Sequence, residues 1–99
     1  MFAATTSPDT ETQEAAKSKA SLDRPWHVIV WNDHVNLMNY VEYVFEKVLS
    51  FDKPTATRHM LEVHNLGKSC VATTVKERAE LYMQQLQFYG LKTTIQRSE

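Results

Sequence analysis

The sequence carries two glycines, one cysteine and three prolines in 99 residues. With only Gly67 and Gly90, far apart in the chain, there is no glycine-rich loop to wrap a phosphate group. A lone Cys70 excludes an internal disulfide framework and fits a reducing compartment. No apolar run approaches the roughly 18 residues that span a membrane. The opening stretch lacks the basic and apolar regions of a secretory leader, so the expected location is the cytoplasm, without a membrane partner. Lys and Arg number 11 against 12 Asp and Glu, and neither sign forms a block. That leaves no basic face for a phosphate backbone, and no nucleic-acid partner is expected.

What is present fits one domain with a modest core. Residues 1–24 are rich in Ala, Thr, Ser, Glu and Lys, with almost no large apolar side chain after Phe2. Such a segment cannot offset its ordering entropy by burial, and a disordered tail is expected there. The core is expected over residues 25–99. Trp26 to Trp31 reads as a strand, apolar on both faces apart from His27, as in the middle of a sheet. Leu37, Val41, Val44, Phe45 and Val48 recur at helical steps after it, with Asn36 placed to cap. A second helix is capped by Asp52, admits Pro54 in its first turn and ends at Gly67. Its inner stripe is Ala56, Met60 and Val63.

Ser69, Val71 and Thr73 alternate against Cys70 and Ala72 in a second strand. Thr74 and Glu77 have capping-box spacing for a third helix, with Val75, Ala79, Tyr82, Met83, Leu86 and Tyr89 inward. A last strand sets Leu91, Thr93 and Ile95 on one face. The order β-α-α-β-α-β predicts an α+β fold, a small three-stranded, mostly antiparallel sheet with three helices packed on it.

The corner between the first strand and helix concentrates Asn32, Asp33, His34 and Asn36 in five residues without a glycine. Metal binding is not expected, because His59 and His64 lie five apart, about 140° around a helix, and Cys70 has no partner cysteine. Catalysis by Asp33 with His64 lacks a nucleophile elbow. Binding fits better. Asn32 and Asp33 offer acceptor oxygens and neutral His64 an acceptor nitrogen, a set suited to an ammonium group. Met38, Val41, Met60 and Val63 lie alongside, though the same spacing is that of an ordinary core. His27 and His59 read as solvated.

Three stretches, "VIVWNDHVNLMNYV", "ATRHMLEVHNLGKS" and "GLKTTI", together resemble the ClpS family, adaptors of the bacterial Clp protease system. The resemblance spans about residues 25 to 96. It implies a non-enzymatic, cofactor-free and metal-free monomer. Such an adaptor binds the free α-amine and large hydrophobic first side chain (Leu, Phe, Tyr or Trp) of N-end-rule substrates, or N-degrons. It delivers them to the N-terminal domain of a ClpA- or ClpC-type AAA+ unfoldase, which feeds the ClpP peptidase. By position, the resemblance assigns Asn32, Asp33, His34 and His64 to the amine. It assigns Val30, Asn36, Met38, Val41, Met60, Val63 and Leu91 to the side-chain pocket, and Lys68, Glu77 and Tyr82 to the unfoldase contact. The tail would serve delivery.

One departure stands out. The family pattern Asn-Asp-Asp-x-x-Met becomes Asn32-Asp33-His34-Val35-Asn36-Leu37-Met38, so His34 replaces a second acid and Leu37 a proline. Asp33 is then the one carboxylate in the corner. A docking domain that binds the unfoldase without N-degron cargo is the alternative. A structural domain resembling the small C-terminal domain of the ribosomal stalk protein, or a small hydrolase, would use the same topology.

Overall fold

A computed structural model describes residues 24–99. The tail expected over residues 1–24 therefore lies, apart from Arg24, outside the described residues. Six elements follow in the expected order: β1 (Trp26–Trp31), α1 (Met38–Leu49), α2 (Lys53–Leu66), β2 (Lys68–Thr74), α3 (Lys76–Phe88) and β3 (Lys92–Arg97).

β1 is the central strand of a sheet ordered β2-β1-β3, and both pairings are antiparallel. Its apolar run explains the position: Val28, Ile29 and Val30 are all buried. Trp31 pairs with Lys68 on one side and Lys92 on the other, so all three strands are in register at the corner end.

The core joins Val28, Val30 and Val71 of the sheet to Val41, Val44 and Phe45 of α1, Ala56, Met60 and Val63 of α2, and Ala79 and Leu86 of α3. α1 packs on α2 and α3, while α2 lies on β2 and α3 on β1 and β3. Glu42 of α1 accepts a hydrogen bond from the Thr57 hydroxyl and lies 3.4 Å from Lys53 Nζ, tying α1 to α2. The Thr57 bond is the main reason its carboxyl is held below the usual range.

The helix ends of α2 follow the expectation. Asp52 Oδ1 accepts from Thr55 N at 3.1 Å, and Pro54 sits in the first turn. Gly67 has φ +91°, a left-handed conformation that costs a side-chain-bearing residue but not glycine.

Four local expectations are corrected. The α1 cap is Leu37, which makes no side-chain cap hydrogen bond; Asn36 instead donates from Nδ2 to Gly90 O at 3.1 Å. The Thr74–Glu77 capping box does not form, because Thr74 is committed to the ladder opposite Trp26 and α3 is capped by Val75. Val75 is accordingly 60% exposed rather than inward. In β2, Ala72 pairs with Val28 and Cys70 with Ile29, leaving Val71 as a bulge. The extra residue flips the alternation, so Ser69 and Val71 are buried but Thr73, expected on their face, turns to the exposed one.

Candidate functional site

Two chain segments meet at the corner. Asn32 N donates to Gly67 O at 2.9 Å, which fastens the end of β1 to the end of α2. Asn32 is thereby held beside the last turn of α2, which carries His64. The turn that follows is set by Asp33. Its Oδ1 accepts from Val35 N at 3.1 Å, and its carbonyl accepts from Asn36 N at 3.0 Å. This is an Asx turn, in which a short polar side chain closes the turn without a glycine. The Asn36–Gly90 bond then pins the turn to the loop between α3 and β3.

The outcome is an open cleft of about 650 Å³ lined by Asn32, Asp33, His34, Asn36, Leu37, Met38, Asn39 and His64. Six of the residues expected at the site therefore share one cleft: Asn32, Asp33, His34 and His64 from the amine set, and Asn36 and Met38 from the pocket set. Asp33 spends Oδ1 on its own turn; among the described residues its second oxygen takes no hydrogen bond. Among the described residues no Lys or Arg lines the cleft to neutralise that carboxylate.

The other pocket residues lie elsewhere. Val30, Val41, Met60, Val63 and Leu91 are buried in the core and do not line the cleft. Met60 thus fills the interior, whereas Met38 is 39% exposed at its rim. Lys68 and Glu77 are exposed on β2 and α3, outside the cleft. Lys68 Nζ stands 5.2 Å from the Trp31 ring, and the Tyr82 hydroxyl accepts from Arg78 Nη2 at 3.2 Å. Among the described residues no group of three His, Cys, Asp or Glu side chains is placed to hold a metal ion, and no helix is long and apolar enough to cross a membrane.

His59 was expected in solvent and is buried instead, 7% exposed. Its ring stacks on Phe51 at 5.0 Å, and Nδ1 lies 2.7 Å from Ser69 Oγ. The Ser69 hydroxyl donates to Glu62 Oε1 at 2.6 Å, so Ser69 accepts from His59, which places a proton on Nδ1. Chiefly through burial, His59 is held below the ordinary histidine pKa; Arg58 adds to this and Glu62 opposes it. Ala56, His59, Met60 and Val63 fall at steps of three and four, a helical stripe in which His59 could have been recognised as inward.

A pH effect follows. A histidine with a lowered folded-state pKa binds fewer protons folded than unfolded. Its contribution is complete above about pH 6.5 and is lost as the pH falls below that. Urea unfolding is expected to show a lower midpoint at pH 5.5 than at 7.5, with the difference reduced in His59→Gln. An undiminished difference in the variant would assign the effect to other groups.

A three-stranded antiparallel sheet backed by helices, with a polar cleft where the central strand turns into a helix, defines a small α+β domain. The model of the family described as ATP-dependent Clp protease adaptor protein ClpS matches residues 21–94. ATP-dependent Clp protease adapter protein ClpS of Nocardia farcinica is 44% identical over 77 residues, covering 78% of this chain and 73% of that protein. Its namesake in Mycobacterium tuberculosis is 41% identical over 96 residues, covering 97% of this chain and 95% of the relative. The chain belongs to the ClpS family of Clp protease adaptors. A solved structure, Agrobacterium tumefaciens ClpS2 bound to L-phenylalaninamide, shares the fold with a TM-score of 0.71 at 21% identity, over 77% of this chain and 99% of that one.

Proposed function

We propose that this adaptor is a non-enzymatic, cytoplasmic and monomeric reader of N-degrons. It takes the free α-amine and a large hydrophobic first side chain, Leu, Phe, Tyr or Trp. It then delivers the bearer to the N-terminal domain of a ClpA- or ClpC-type unfoldase for degradation by ClpP. The observation that carries this reading is the convergence of Asn32, Asp33 and His64, from two elements, in one cleft beside Met38. The ligand of the solved relative, L-phenylalaninamide, pairs a free amine with an aromatic side chain. We carry that ligand class over to this chain.

In this reading Asn32, Asp33 and His64 accept from the ammonium group, and His34 stands where a second acid would. The first side chain enters past Met38 toward Val41, Met60 and Val63, with Val30, Asn36 and Leu91 bounding the space. Rotation of the two flexible thioethers opens it. Lys68, Glu77 and Tyr82 form the unfoldase contact, and residues 1–24 act in delivery by the core of residues 25–99.

A charge-assisted hydrogen bond contributes about 1.5–3 kcal/mol, and burying a Leu or Phe side chain roughly as much. Neither alone overcomes the cost of association, so both halves of the ligand are required. Fluorescence anisotropy of labelled Phe- and Leu-initial peptides is expected to give micromolar binding, about −8 kcal/mol. Acetylated and Val-initial controls should bind poorly. Equal or absent binding across the set would leave a docking domain without N-degron cargo.

A further inference from the structure

Among the described residues two large apolar side chains line the cleft, Leu37 and Met38. Met38 opens α1 one turn before buried Val41, which places it next to the core. Leu37 has extended dihedrals (φ −75°, ψ 148°) at the cap position, makes no side-chain cap bond and is 71% exposed. That position favours Ser, Thr, Asp or Asn. A leucine there offers no side-chain cap and does not bury itself. It is held firmly nonetheless, because the preceding turn is closed on Asp33 and pinned to Gly90 O through Asn36. Val35, at the tip of the same turn, is 82% exposed but does not line the cleft.

Building on the amine anchor of the proposed function, we infer that Leu37 is the contact for the second residue of the bound N-terminus and selects an apolar side chain there. The occupant follows from chain geometry. An extended peptide advances about 3.3 Å per residue, and its successive side chains leave on opposite sides. With the amine held by Asn32, Asp33 and His64, the first side chain points to the Met38 end, where the interior begins. The second leaves on the other side, and among the described residues that line the cleft Leu37 is the one large apolar group besides Met38. An apolar second residue covers Leu37; a small polar one leaves it wet.

The test uses labelled peptides that differ only at the second position, Phe-Leu against Phe-Ser, each also in acetylated form. The full chain is expected to bind Phe-Leu about three- to tenfold more tightly, as partial burial of a leucine allows. Leu37→Ser should bring that ratio close to one by weakening Phe-Leu more than Phe-Ser, and Leu37→Met should restore it. Serine is a preferred cap, so the variant is expected to stay folded, and a thermal melt run alongside checks this. A ratio near one in the parent, or an unchanged ratio in Leu37→Ser, overturns the inference while amine-dependent binding of Phe-Ser keeps the proposed function standing. Equal loss of both peptides in Leu37→Ser makes Leu37 a structural residue and overturns it too. Failure of both peptides to bind the parent removes the anchor and this inference together.

Discussion

Asp33→Asn is expected to weaken binding of Phe-initial peptides by about ten- to a hundredfold, the range of one charge-assisted hydrogen bond. The change is chosen for what it keeps. Asp33 Oδ1 accepts from Val35 N, and an asparagine carbonyl can hold the same turn, so the corner stays closed while the charge is removed. Alanine would confuse the two effects by opening the turn. The expected loss is large because no second carboxylate lines the cleft among the described residues, His34 standing where the family pattern has an acid. The reciprocal variant, His34→Asp, should then tighten binding by up to about tenfold, since it supplies another acceptor of the right charge. Anisotropy titrations at fixed ionic strength check both. Unchanged affinity in Asp33→Asn would mean that the ammonium group is held without the carboxylate, and the proposed anchor would have to be redrawn around Asn32 and His64.

Phe45→Ala is expected to cost about 3–5 kcal/mol of folding stability, the range for removing a fully buried aromatic side chain. Phe45 is fully buried in the middle of α1. Its ring meets Phe51 edge-on at 6.4 Å and His59 at 6.5 Å. Removing it leaves a void against the ring pair that joins the α1–α2 connection to α2, a pair too constrained by the His59–Ser69 bond to collapse inward. For a domain of this size such a loss is a large share of the total stability. Urea unfolding measures it, with Phe45→Leu expected to lose much less. A cost below about 1 kcal/mol in Phe45→Ala would show that the helices do not close on this residue.

The element order was legible because each element carries its own period or its own boundary. The helical steps of Val41, Val44 and Phe45, the apolar run of β1, Asp52 with Pro54, and Gly67 are local signals read within a few residues. The local readings that failed were ones in which a distant partner intervened. Asn36 is as good a cap as its neighbours suggest, but Gly90 O lies within reach and takes its amide. Thr74 has the spacing of a capping box and is claimed by the ladder opposite Trp26. The bulge at Val71 depends on the strand beside it, so nothing in the alternation of β2 announces it.

The site divides in the same way. By itself the sequence determined that a corner rich in acceptors follows the central strand, that an apolar helix follows the corner, and that the chain resembles one family along most of its length. Those are properties of contiguous residues. The packed chain ties Asn32 to Gly67, so that His64 shares a cleft with it. It also decided that Met60 fills the core while Met38 and Leu37 remain at the rim, and that His59 is sealed against Ser69 and Glu62. The physical reason is that burial and convergence belong to pairs of residues far apart in the chain. A side chain's own character sets what it can bind, but the packing of its distant neighbours sets whether it faces a ligand, water or the interior.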